Sequence, residues 1–270
     1  MNYLKGLLLL LVLCLCAPGG YANISIFPYA VDFDANTNKR VVSVRVSNPT
    51  KERKTYRISV IDMRQLPSGG FEALPADQKP ADSAAPFIIF SPRQFTLDGG
   101  DFQTVNISRK PLLKVPDGDY TSHLKIQEVD TPMPAGKLEQ KGVSVEVKFK
   151  YNLTIPIYIK KGKTAGIIAI ASAEPFEREG KPYLRVKLKR QEGLRYFRGV
   201  VTATQDKKVI GEVRNIRVYP TTEERYVDFP LNKPLAELAG KKIKIVYKDE
   251  SEKGNLAEAE FTLPAIEKGK

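Results

Sequence analysis

The chain has 270 residues, with 42% hydrophobic and 27% charged side chains, a formal charge of +12 and a pI near 9.5. That balance excludes a disordered polyelectrolyte and leaves room for one large domain or two of ordinary size. One histidine, two cysteines and no tryptophan leave little material for metal or nucleophile chemistry.

The chain opens on "MNYLKGLLLLLVLCLCAPGGYA". A single early cation, Lys5, precedes an apolar run from Leu7 to Cys16, then Pro18, Gly19, Gly20 and the small Ala22. This is the pattern of a secretory signal peptide over residues 1–22, cleaved after Ala22, and the run is too short to span a bilayer comfortably. Both cysteines, Cys14 and Cys16, fall inside it. The exported chain then has no disulfide and must be held by core burial alone. The mature chain is expected to be soluble and outside the cytoplasm.

Alternating runs follow. "NISIFPYAVDF" is extended; "RVVSVRVSN" alternates Val42, Val44 and Val46; "TYRISVIDM" alternates Tyr56, Ile58 and Val60. "PFIIFSPRQFTLDGGDFQTVNISR" holds two or three short strands broken by Pro92 and by Asp98-Gly99-Gly100, and "GDYTSHLKIQEV" is another strand. Turn signals about every ten residues predict an all-β sandwich. Residues 64–86, rich in Pro, Gly, Ala and Asp, read as a long surface connection, and 131–142 as a second one.

The stretch 143–160, "VSVEVKFKYNLTIPIYIK", has an apolar residue at every odd position from Val143 to Ile159, while the even positions are polar up to Thr154. Such alternation predicts a long strand with one greasy face, weakened at Pro156, which cannot donate to a ladder. Those side chains either fill the chain's own core or overhang it and are offered to a partner. "KKGKTAG", 160–166, reads as a linker. Seven further strands, from "GIIAIASAEPF" to "LAEAEFTLP", predict a second sandwich, with one helical turn at "PLAELAG". The domains are therefore placed at 23–160 and 161–270.

Little here suggests an enzyme. His123 alternates against Leu124 and Ile126, so it should point away from the core, at the surface or rim. No phosphate-binding loop, dinucleotide fingerprint or nucleophile elbow occurs. Glu223-Glu224 and Glu177/Glu179 read as solvated surface. No cofactor and no metal site are expected. Lysine clusters at 160–163, 187–190, 207–208 and 241–244 have no interleaved aromatic motif, so nucleic acid is not the expected partner; a basic face suits solubility or an acidic or carboxylate-bearing partner.

The order of these motifs resembles the PapD-like periplasmic chaperones of pilus assembly. The residues that carry the resemblance are "AVDFD" followed by "VSVRVSNPTKERKTYRISVID", then "FIIFSPRQFTLDGGDFQTVNIS", "DGDYTSHLKIQEV", a variable loop and the alternating strand. It covers nearly all of the chain after residue 22. The resemblance implies two immunoglobulin-like β-sandwiches set like a boomerang. It also implies donor-strand complementation: the last strand of domain one lends apolar side chains to a pilus or fimbrial subunit, which is then delivered to an outer-membrane usher. By position the donated side chains are Val143, Val145, Val147 and Phe149, with Tyr151 next. Members of the family also anchor the subunit's terminal carboxylate with an Arg on the first strand and a Lys on the last. Here "FPYAV" offers no Arg, which points to an archaic or alternate branch and leaves Lys150, Lys148, Arg93 and Asn152 as possible anchors. Self-association of the free chaperone is a further expectation. The rival readings are a structural subunit of the fibre and a carbohydrate-binding adhesin.

Overall fold

The computed structural model describes residues 24–112, 114–129, 151–250 and 254–264. The signal-peptide reading of 1–22 and the connection 131–142 lie outside the described residues. The fold is all-β, built as two β-sandwiches, as the alternating runs predict.

The first sandwich takes β1 (Ser25–Phe27), β2 (Val31–Asp34), β3 (Val41–Ser47), β4 (Lys54–Ile61), the hairpin β5 (Met63–Gln65) and β6 (Phe71–Ala73), β7 (Ile88–Ser91), β8 (Gln94–Leu97), β9 (Phe102–Arg109), β10 (Gly118–Val129) and β11 (Asn152–Lys161). One sheet has the order β1-β3-β9-β7 and the other β2-β11-β10-β4-β8. The first strand thus begins on one sheet and crosses to the other, where β2 runs parallel to β11. Alternation buries one side of each strand. Val44, Val46, Val105 and Ile107 from one sheet meet Tyr56, Leu124, Ile126, Ile157 and Ile159 from the other.

The second sandwich takes β12 (Ile167–Arg178), β13 (Lys181–Glu192), β14 (Phe197–Gln205), β15 (Lys208–Val218), β16 (Glu224–Pro230), β17 (Lys242–Asp249) and β18 (Asn255–Thr262), with α1 (Leu235–Leu238). Its sheets are β12-β13-β16 and β15-β14-β17-β18. Leu184, Val186, Leu188, Val201, Ala203, Val227, Phe229, Ile245 and Tyr247 fill the space between them. The helical turn falls where "PLAELAG" predicts it, with Leu235 and Leu238 buried.

Three local expectations are corrected. Residues 64–86 are more than a surface connection: they include the end of β5 and all of β6, and they bury Gln65, Asp82, Ser83 and Ala84. The Gly and Pro content there serves the tight turn Leu66–Gly70, closed by the Gly69 amide donating to the Leu66 carbonyl at 2.8 Å. β11 does not weaken at Pro156; it runs on to Lys161, into the stretch read as a linker. Pro156 stands opposite His123 on β10, and the ladder with β2 begins only at Ile157↔Val31. A proline is tolerated where the strand has a neighbour on one side only.

The third correction concerns His123. It does point away from the first core, but that face is covered: the residue is 4% exposed. Its ring lies 5.2 Å from that of Phe71 and stacks at 6.0 Å on that of Tyr219 from the second sandwich. Parity assigns a side of the sheet; a second domain decides whether that side is wet.

Candidate functional site

β11 is built in two unlike halves. From Ile157 to Lys160 it is an interior strand, with β10 on one side and β2 on the other. From Asn152 to Pro156 it pairs with β10 alone, and among the described residues no strand occupies its other edge. Because the chain leaves that edge to place β1 on the opposite sheet, the side of the sandwich is open there. Backbone N–H and C=O groups along such an edge are a template for an added strand.

The side chains follow suit. Ile155, Ile157 and Ile159 are buried in the core and Leu153 is half-buried. Tyr151 continues the same odd parity and is 45% exposed. β10 still accompanies the chain here, since the Glu128 amide donates to the Tyr151 carbonyl at 3.1 Å. The greasy face therefore outruns the core that covers it.

Of the residues singled out from the sequence, Tyr151 and Asn152 sit together at the start of this open half-edge, both exposed. Val143, Val145, Val147, Lys148, Phe149 and Lys150 lie outside the described residues. Arg93 stands elsewhere, in the turn between β7 and β8, with its guanidinium 5.6 Å from the Phe90 ring. β8 is separated from β11 by β10 and β4, a distance on the order of 14 Å at the usual strand spacing.

At the other end β11 enters a cleft of about 320 Å³ between the sandwiches. Asp32, Asp34, Asp119, Tyr158 and Lys160 line it from the first, Arg195, Tyr196, Arg198 and Asp249 from the second. Its charges are largely matched. Arg195 meets Asp249 at 2.9 Å and Arg198 meets Glu250 at 2.7 Å. The Asp119 carboxylate accepts the Tyr196 amide at 2.7 Å, and burial nevertheless pushes its pKa up. Burial likewise raises Asp32, opposed by the nearby Arg198, Arg217 and Lys39. Lys160 and Arg198 are exposed cations at the rim. The arrangement suits recognition of a charged or hydrogen-bonding group; it positions no nucleophile against a base. Among the described residues no cluster of His, Cys, Asp and Glu could hold a metal ion, and no helix is long and apolar enough to cross a membrane.

No family model matches the sequence, and no curated protein matches it either. Solved structures do. Among them are three chains from structures of chaperones or chaperone–subunit complexes. The E. coli chaperone DraB is 15% identical, covering 89% of this chain and 96% of its own, with a TM-score of 0.44. A chain of the CsuC–CsuE chaperone–tip adhesion subunit pre-assembly complex, from the archaic chaperone-usher Csu pili of Acinetobacter baumannii, is 14% identical over 91% and 100%, with a TM-score of 0.45. A chain of the SafA pilin–SafB chaperone complex of Salmonella enterica is 14% identical over 92% and 99%, also at 0.45.

The cleft and its tyrosines escape a reading of the sequence. One signal for them exists. The polar half of the alternation ends at Thr154, and Pro156 and Tyr158 then occupy outward positions between Ile155, Ile157 and Ile159. A strand apolar on both faces is covered on both, which marks Tyr158 as lying beneath a second layer.

Proposed function

We propose that this chain is a periplasmic chaperone that binds, stabilises and delivers pilus or fimbrial subunits by donor-strand complementation, with the stretch Val143–Tyr151 supplying the strand. The observation that carries the reading is the half-open edge of β11: among the described residues Asn152–Pro156 are paired on one side only, and the apolar parity runs outward through Tyr151. A subunit lacking a strand would pair with this edge and its continuation. Val143, Val145, Val147 and Phe149 would enter the subunit's core. Each buried Val or Phe contributes roughly 1.5–3 kcal/mol, so four suffice for several kcal/mol after ordering costs. A one-residue slip would present Ser144, Glu146 and Lys148 instead, so the register is enforced by the pattern itself.

In this reading the signal peptide is 1–22, the subunit-binding domain 23–160 and the second domain 161–270. The partner that receives the loaded complex is an outer-membrane usher, and the work needs no covalent chemistry. Lys148, Lys150 and Asn152 alternate with the donor residues in the sequence and are the proposed anchors for a subunit's terminal carboxylate; Arg93, three strands away, is the weaker candidate.

The test is co-purification from the periplasm of cells that also express the fibre subunits. The wild-type chain is expected to carry subunit through purification. Val145→Glu with Val147→Glu is expected to lose it while keeping its thermal transition. A variant that unfolds instead would show those side chains to be private core, and the proposal would fail.

A further inference from the structure

The hairpin β5–β6 leaves the first sandwich and ends against the second. Gln65, at the end of β5, is buried. Its side-chain amide donates to the Arg217 carbonyl at 3.2 Å and accepts from the Tyr219 amide at 3.2 Å and the Thr222 hydroxyl at 3.1 Å. Two residues on, the Pro67 carbonyl accepts from the Tyr226 amide at 2.7 Å and from the Arg225 guanidinium at 3.2 Å. Phe71, on the returning strand, lies 4.9 Å from the Tyr219 ring.

The targets of these bonds share a role. β15 is the edge strand of one sheet of the second sandwich, and β16 is the edge strand of the other. Arg217 and Tyr219, two residues apart, present a carbonyl and an N–H to the same neighbour, as an edge strand does to its missing partner. The Gln65 amide supplies the matching donor and acceptor. Tyr226, on β16, finds its acceptor in Pro67. One tip therefore pairs with backbone groups at one edge of each sheet. Gly69 makes the approach possible: its φ is +92°, and a Cβ there would overlap the Arg225 guanidinium.

We propose that the β5–β6 hairpin is a strap that locks the two sandwiches in one orientation, with the Gln65 amide as its catch. The consequence is a cleft of fixed width. Asp119 and Lys160 on one wall and Arg195 and Arg198 on the other keep their separation before any ligand arrives. Glutamate at 65 would lack the donor, and leucine would leave a buried carbonyl and N–H unpaired, so glutamine is the residue type the position requires.

The experiment is hydrogen exchange at the Tyr219 and Tyr226 amides in the full chain, wild type against Gln65→Ala, with small-angle scattering on the same samples. The strap predicts that both amides exchange about tenfold faster in the variant, that the maximum dimension broadens, and that Val105 and Leu184 in the two cores keep their protection. Unchanged exchange, or acceleration at Tyr219 alone with superimposable scattering, overturns the proposal. Should Gln65→Ala lose its strand signal by circular dichroism, Thr222→Val loosens the catch from the other side. Acceleration at both amides is expected there too, and its absence overturns the proposal.

Discussion

The hydroxyls of Tyr158 and Tyr219 stand 2.7 Å apart, one from each sandwich. The Tyr196 hydroxyl reaches Tyr158 from a further 3.3 Å, and burial drives the Tyr196 and Tyr219 pKa values well above the ordinary range. A hydrogen bond made in a part-buried junction is worth its net contribution plus the cost of leaving either partner unmatched. Tyr158→Phe and Tyr219→Phe are each expected to lower stability by about 1 kcal/mol. The double variant should cost less than the sum of the two singles, because both remove the same bond. Chemical denaturation of the four chains checks this; strict additivity would show that the hydroxyls do not couple.

His123 makes the junction sensitive to acid. Burial lowers its pKa from 6.5 to about 4. The groups facing it, Phe71, Tyr219 and, across the ladder, Ile61 and Pro156, carry no charge to compensate. Between those two values the unfolded chain binds more protons than the folded one, so stability rises with pH across this window. It is fully present above about pH 6.5 and is lost progressively as the pH falls towards 4, by about 3 kcal/mol in all. Asp32, Asp82 and Asp119, whose pKa values burial raises, act in the opposite direction. The difference between wild type and His123→Phe isolates the histidine. That difference should grow with pH from 4 to 6.5 and level off above; a flat difference would contradict the assignment.

The two halves of β11 should respond differently to truncation. Ile157 is fully buried between the sheets, whereas Tyr151 is half in solvent. Ile157→Ala is expected to cost about 2–5 kcal/mol. Tyr151→Ala should stay within about 0.5 kcal/mol of wild type in the isolated chain. Urea denaturation measures both. A large loss at Tyr151 would place that side chain in the chain's own core.

Much of this was legible in the sequence, because the strand signal is local. Val42, Val44 and Val46, or Leu184, Val186 and Leu188, announce both the strand and its buried face through period-two alternation. "PLAELAG" announces its single turn of helix by a different spacing, Leu235 and Leu238 standing three residues apart on one face. What the sequence hid is what depends on a second layer. His123 obeys its parity and is still buried, because Tyr219, almost a hundred residues on, covers it. Gln65 looks like any polar loop residue until the edges of β15 and β16 are placed beside it. The break in alternation at Pro156 and Tyr158 was the one local trace of that layer.

The proposed function requires another polypeptide to add a strand along the β11 edge that is unpaired among the described residues. Amide hydrogen exchange along Tyr151–Ile155, measured with and without purified fibre subunit, tests it most directly. Pro156 has no amide to read. The account predicts that the Asn152 and Thr154 amides, which alternate away from β10, gain protection on complex formation, while the amides of Tyr151, Leu153 and Ile155, directed at β10, and those of Ile157–Lys160, where the strand has a neighbour on each side, change little. A stable complex in which the Asn152 and Thr154 amides exchange as fast as in the free chain would contradict it.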